Sequence, residues 1–390
     1  MNRKQSIALI FCSLVIWCGG NGIAGLLPVY ATQLGASSAV AGNYLAIIFF
    51  NLALGTLSAG WVSEKLHRRK LPMIIMGCMY ALFTWLMSLA HSMLALATFT
   101  AISWFCGGMA LALITILAGM YVRENERGKV FGFLAMTMGL GGVIGGLGIG
   151  WLVNRWGYTT MFRILALWLT LQPLVALLLE DKKEGQPQAK DIPVGKSPAL
   201  GKNFYLFFTA TILVTIPGYF AALIRSIVMN SRGFNPLDIN STVAIGGLIA
   251  IPFPLLMGWI SDKIGRKTFL FFSYFSGLAS LVLLAFSQEL WHFWAAFSLA
   301  GISSGGGGVG NALVTDLAPP ESLAKGLAVF GSAAWIGGVL GFAAAGYLLQ
   351  NLGLPLTFMI GGCLMLVAIG LLIQIRTGSR QPGQPVEAST

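Results

Sequence analysis

Two ten-residue segments lying 198 positions apart carry residue types whose spacing could do chemistry. The first is Gly60-Trp61-Val62-Ser63-Glu64-Lys65-Leu66-His67-Arg68-Arg69. The second is Gly258-Trp259-Ile260-Ser261-Asp262-Lys263-Ile264-Gly265-Arg266-Lys267. Five of the ten positions are identical and four are conservative pairs. In each segment a glycine permits close approach of another helix. The acid four residues on, Glu64 or Asp262, can face the positive N-terminal end of a neighbouring helix. Arg68, Arg69, Arg266 and Lys267 can pair with Glu124, Glu126, Asp316 or Glu321. Pairs that form only when one side of the molecule is shut bias it toward opening on the other. This is the chemistry of a latch.

Other constellations fail for want of context. Gly305-Gly306-Gly307-Gly308-Val309-Gly310 contains a formal G-x-G-x-x-G, but a dinucleotide site needs a preceding strand and a βαβ unit. Gly195-Lys196-Ser197 imitates the end of a P-loop, yet Lys190 stands where its first glycine belongs. Cys12, Cys18, Cys78, Cys106 and Cys363 show no metal-type spacing and read as small apolar packing residues. No cofactor, no metal site and no catalytic constellation is expected.

The elements that must position the latch follow from composition. The 390 residues are 56% hydrophobic and 9% charged, with 50 glycines and a mean hydropathy of +0.79. A soluble domain carries about 25% charged residues, so this chain could not cover a water-facing surface. Disordered chains are charged and poor in aromatics. What remains is an all-α polytopic membrane protein. About 20 apolar residues span a bilayer as a helix, and twelve such stretches are expected. They lie near 7–30, 39–62, 72–90, 94–121, 129–153, 158–179, 204–229, 239–260, 268–287, 291–316, 324–349 and 354–375. No period-two alternation supports spanning strands. A secretory signal at Arg3-Lys4 and the apolar run after it is disfavoured, because that run continues to spanning length.

With the N-terminus cytoplasmic, 20 of the 24 Lys and Arg residues fall on the inner side, leaving Arg155, Arg163, Arg225 and Arg232 outside. That asymmetry places both termini in the cytoplasm and accounts for the net charge of +11 without a nucleic-acid partner. The expected organisation is a six-helix bundle over 1–180, a polar cytoplasmic linker over 181–203, a second bundle over 204–376 and a tail over 377–390. The two bundles are pseudo-symmetric repeats. A further match aligns Gly142, Gly145, Gly150, Gly157 and Phe162 with Gly338, Gly341, Gly346, Gly353 and Phe358, at an offset of 196.

Polar side chains at mid-depth are costly unless they face partners or a cavity. The candidates for contact with a solute are Asn21, Asn51, Ser103, Tyr219 and Asn311, with Trp17 as an aromatic wall. Asn21 and Tyr219 are repeat-equivalent and rank first. Arg225, one turn from the outer end of its helix, could snorkel to the interface or point inward and attract an anion. Packing is the alternative reading for each of these residues. No Asp, Glu or His lies at mid-depth in any stretch.

The duplicated loop and the two six-helix halves resemble the major facilitator superfamily of secondary transporters, over essentially the whole chain. The second loop copy matches that family's Gly-x-x-x-Asp-Lys/Arg-x-Gly-Arg-Lys/Arg signature completely, while Glu64 and His67 depart from it in the first. The resemblance implies two halves flanking one central site that is exposed alternately to each side. It also implies a cytoplasmic gate built from Gly60, Glu64, Arg68, Arg69, Gly258, Asp262, Gly265, Arg266 and Lys267. Glu64 would face the eleventh helix and Asp262 the fifth. Many proton-coupled relatives carry an Arg one turn before a Gly in the fourth helix; here Ser103 or Trp104 stands there.

The expected function is alternating-access transport of a small organic solute across the cytoplasmic (inner) membrane, with efflux of amphipathic, drug-like compounds first. Import or exchange of a small organic anion is the alternative. A non-transporting sensor on the same fold is the reading from another class. A monomer in the lipid bilayer is expected, and coupling to a proton or another ion is left open.

Overall fold

The computed structural model describes residues 3–66, 69–121, 124–179, 198–252, 256, 260–261, 263–319 and 322–375. Arg68, Gly258, Asp262, Glu321, most of the linker and the tail lie outside the described residues, as do the side chains of Glu64, Glu124 and Glu126. No strand occurs among the described residues. Helices are what such a chain must form, since only they satisfy each segment's own backbone groups in lipid.

In chain order the helices begin with α1 (Arg3–Ala24), α2 (Leu27–Gln33), α3 (Ser38–Leu66), α4 (Lys70–Met87), α5 (Met93–Tyr121), α6 (Glu124–Leu169) and α7 (Leu171–Ala176). The second half contributes α8 (Lys202–Ser231), α9 (Pro236–Ala250), α10 (Arg266–Phe286), α11 (Leu290–Ser304), α12 (Gly306–Leu317) and α13 (Leu323–Gln374). Eight helical segments among the described residues are long and apolar enough to cross a membrane. Two of these, Val130–Ala176 and Lys325–Gln374, have 47 and 50 residues. A straight helix of that length would run about 70 Å against a hydrocarbon core of about 30 Å. Neither is straight. Gly157 (φ 76°, ψ 175°) turns α6 back and Gly353 (φ 75°, ψ 178°) turns α13 back, in a conformation that side-chain-bearing residues rarely adopt. Both arms of α6 therefore flank α1: Gly145 and Ile149 of one arm approach Gly22, and Leu165 and Leu169 of the other approach Gly19.

The repeat is visible in the local chemistry. After α2 the Ala36 amide donates to the Ala31 carbonyl at 3.0 Å, and after α8 the Phe234 amide donates to Met229 at 3.1 Å. These are the same helix stop. Next comes a helix start: Ser37 Oγ accepts from Val40 N, and Asn235 Oδ1 accepts from Asp238 N. Pro236 then fills the first turn of α9, where its missing N–H costs nothing.

We call the end of the bundle holding Arg69, Arg266 and Asp316 the basic end, and the opposite one the far end. The halves meet along two glycine-lined seams. The first arm of α6 packs on α9, where Gly139 and Gly142 approach Gly247, and Gly150 approaches Pro236 and Leu237. Symmetrically, α3 packs on the first arm of α13: a Cβ at Gly42 would lie 2.5 Å from the Phe342 carbonyl oxygen, and one at Gly346 2.5 Å from that of Ser38. These contacts run from mid-depth to the far end. At the basic end, Gly60, Gly132 and Gly331 have nothing among the described residues within 4 Å of an added Cβ. Among the described residues, the close contacts between the halves lie from mid-depth to the far end.

Candidate functional site

At mid-depth, α1 turns Leu14, Trp17 and Asn21 toward the space between the halves, each partly exposed at helical spacing. Asn21 Nδ2 donates to the Met138 carbonyl of α6 at 3.0 Å. Across the gap, the repeat-equivalent Tyr219 of α8 joins an aromatic cluster. Its ring centroid lies 5.2 Å from Phe49 of α3 and 5.0 Å from Phe342 of α13, and Phe49 lies 5.4 Å from Trp104 of α5. The cluster ties the two halves together at the top of the open space. Close backbone approach makes room for it. A Cβ at Gly338 would meet the Tyr219 ring at 3.2 Å, while its repeat mate Gly142 lies beside Asn21. Trp104 Nε1 is buried without a hydrogen-bond partner among the described residues.

The remaining candidates separate. Asn51 is partly exposed and its amide bonds only to Ile47 of its own helix, at 2.9 Å. Asn311 is exposed on α12, on one face with Ser304, Gly307 and Gly308. Ser103 is fully buried and lies 3.0 Å from the Thr84 hydroxyl, so it joins α5 to α4 inside one half and does not face the space between halves.

Arg225 is only 2% exposed and is the one fully buried charged side chain among the described residues. It reaches no interface, so the snorkelling alternative does not describe it. Nη1 donates to the Thr242 hydroxyl of α9 at 2.6 Å and Nη2 to Ser226 at 3.0 Å. The guanidinium carbon stands 4.5 Å from the Phe297 ring centre of α11, a cation–π distance. Gly25 of the opposite half lies against it. A Cβ at Gly25, in the break between α1 and α2, would lie 3.0 Å from Nη2 and 2.6 Å from Asn240 Oδ1. Asn240 Nδ2 donates to the Gly22 carbonyl at 2.7 Å.

At the basic end, Arg266 Nη1 meets Asp316 Oδ2 at 2.7 Å. Both residues belong to the second half, so this pair lies within one half and not between the two. Among the described residues Lys267 meets no acid; its Nζ donates to the Ile373 and Ile375 carbonyls at 2.9 and 2.7 Å. Lys70 does the same to Leu177 at 2.7 Å in the first half. Cations at helix C-termini satisfy the last carbonyls and the dipole. Arg69 Nε donates to Ser63 Oγ at 2.8 Å. Gly265, with φ 92°, turns the chain into α10, which gives the glycine of the second loop a backbone reason.

The sequence model of the Major Facilitator Superfamily matches residues 9–224 and, separately, 204–389. The chain belongs to the major facilitator superfamily. It is similar to the quinolone resistance protein NorA of Staphylococcus aureus (strain COL), 22% identical over 74% of this chain and 75% of that protein. It is also similar to a gallate transporter of Pseudomonas putida, 24% identical over 92% of this chain and 89% of that protein. Among solved structures, a POT family transporter in complex with a thioalcohol-conjugated peptide superposes with a TM-score of 0.77 at 14% identity, over 94% of each chain. A bacterial homologue of the lysosomal transporter Spinster, in an inward-facing unoccupied conformation, gives 0.70 at 15%, over 96% of this chain and 95% of that one.

This superfamily member is a multi-pass membrane transporter and not an enzyme. Sequence reasoning missed Phe49, Phe342 and Phe297, which carry no signal among 25 phenylalanines. Asn240 and Thr242 lie at the outer start of the stretch 239–260, so the mid-depth criterion that selected Asn21 passed them over.

Proposed function

We propose that the chain carries a small organic solute across the cytoplasmic membrane by alternating access, and that it expels amphipathic, drug-like compounds. The observation behind this is the neutral aromatic and amide lining where the halves meet: Trp17, Asn21, Phe49, Trp104, Tyr219 and Phe342. Rings bind apolar, flat molecules, and the unpaired Trp104 N–H is a donor for a polar handle. The similarity to NorA supports efflux. Twelve spans with both termini cytoplasmic complete the reading, because the basic end then becomes the inner face.

Transport of a lipophilic dye in sealed everted vesicles, with pH and sodium gradients imposed in turn, tests it. Uptake should fall about tenfold in affinity with Tyr219→Ala or Trp104→Ala, and Ser103→Ala should leave it unchanged. Absence of transport for every lipophilic compound tried would sink the efflux reading.

The second reading, carriage of a small organic anion, is favoured by the buried Arg225 and by the relative named for gallate transport. In both readings Gly60, Glu64, Arg68, Gly258, Asp262 and Gly265 form the inner gate. Asp262→Asn should then raise labelling of single cysteines at the inner mouth, and unchanged labelling would remove Asp262 from that role.

A further inference from the structure

We infer that Arg225, Asn240, Thr242 and Phe297 form a carboxylate-binding pocket that span opening at the far end uncovers, and that the acid it takes carries an aromatic or lipophilic body. The inference deepens the proposed function and rests on its alternating-access reading. An isolated charge buried in a membrane protein is expensive, so such residues pair with acids or mark a solute path. Among the described residues no carboxylate lies within ion-pair distance of Arg225. Its Nε has no hydrogen-bond partner, nor does Asn240 Oδ1. The groups that hold it, Thr242, Ser226 and Phe297, are neutral and all belong to the second half. They travel with Arg225 when the halves rock.

The cover comes from the first half, where α1 gives way to α2: side-chain-free Gly25 lies against the cation, and the Gly22 carbonyl takes the Asn240 amide beside it. Opening the far end withdraws this cover. It leaves a planar guanidinium with free donors, an amide that has lost its acceptor, and a hydroxyl beside them. A carboxylate accepts two parallel hydrogen bonds from that fork. Phe297 below and the Tyr219–Phe342–Phe49 cluster nearer the centre offer rings to the remainder of the acid. In the conformation seen, the site is shut and the Gly22 carbonyl of α1 accepts the Asn240 amide that the anion would take.

Benzoate is the probe and benzamide its neutral control. Gly346→Leu, whose side chain would wedge the α3–α13 seam against Ser38, should hold the far end open. Gly42→Leu wedges the same seam from the other side if the first variant does not fold. Opening is read by labelling of a cysteine at Leu26, which is 1% exposed in the shut state, with the exposed Cys78 and Cys363 replaced by alanine. In the reconstituted full chain, the wedged protein should bind benzoate and not benzamide. Adding Arg225→Gln should weaken benzoate roughly 10- to 100-fold, the loss of a charge-assisted hydrogen bond, and Arg225→Lys should restore part of it. Equal benzoate binding with and without Arg225→Gln, in protein whose position 26 is labelled, overturns the pocket. Failure of position 26 to become labelled in both wedged variants overturns the opening itself, and with it the alternating-access reading.

Discussion

The first helix of each half occupies the same place in the repeat, yet α1 ends at Ala24 and resumes as α2 at Leu27, while α8 runs unbroken from Lys202 to Ser231. Shifting by 198, Gly25 corresponds to Leu223, Leu27 to Arg225 and Gly42 to Asn240. The seams, helix stops and helix starts coincide between the halves, but what they enclose does not. The second half holds the charge and the amide. The first half supplies broken backbone and missing side chains that fit over them. Duplication fixed the joints, and divergence at a few far-end positions made one half the site and the other its cover.

The joints themselves should be the most sensitive points. In α6 a Cβ at Gly145 would run into the Cys18 carbonyl, and at the equivalent Gly341 it would lie 2.8 Å from that of Ile216. Backbone oxygens cannot swing aside, so Gly145→Leu and Gly341→Leu should each lower the unfolding midpoint in detergent by the equivalent of about 3 kcal/mol or more. Gly148→Leu, one turn along α6 with nothing within 4 Å, should be tolerated. Equal midpoints for Gly145→Leu and Gly148→Leu would mean that Gly145 is not a close-packing joint within its half.

A smaller effect probes the cover. Gly25→Ala brings a methyl to 2.6 Å from Asn240 Oδ1 and should raise far-end labelling. Asn240→Ala, which releases the Gly22 carbonyl, should raise it too. If the two act on one contact, the double variant will open less than the sum, by a coupling of about 1–2 kcal/mol. Leu223→Ala, the repeat counterpart of Gly25, should destabilise by leaving a cavity without opening the far end. Additive labelling in the double variant would separate Gly25 from Asn240.

Much of this was legible in the residues. Low charge, the glycine spacing and the duplicated loop define an all-helical repeat protein, because lipid admits few alternatives to self-satisfied helices. Asn21 and Tyr219 emerge as mates because both the repeat and the cost of polarity at depth mark them. The reversals at Gly157 and Gly353 were legible both as matched glycines and as the breaks between the stretches 129–153 and 158–179 and between 324–349 and 354–375. Only their positive φ left no trace in an apolar run. Ser103 looked like Asn21 in type and depth; its partner Thr84 is 19 residues away on a neighbouring helix, and helix rotation decided which way it faced. Arg225 was the hardest to read. Its burial depends on a glycine 200 positions earlier, in the other half.

The smallest effect separates the two loops. In the second half, Arg266 pairs with Asp316 with their side chains 29% and 34% exposed. Its repeat counterpart Arg68 lies outside the described residues, and the next residue of the first loop, Arg69, donates to the uncharged Ser63. A partly exposed ion pair is screened by salt and contributes about 0–1 kcal/mol; a bond to a hydroxyl has no second charge to screen. Arg266→Gln should therefore lower the unfolding midpoint slightly at low ionic strength and negligibly at about 1 M salt, where the Debye length falls to roughly 3 Å. Asp316→Asn should do the same, and the two together should cost no more than either alone. Arg69→Gln should produce a change that salt does not erase. Because the Arg266–Asp316 pair lies inside one half, neither substitution should alter labelling at the inner mouth. A shift in that labelling on breaking the pair would show that it acts between conformations.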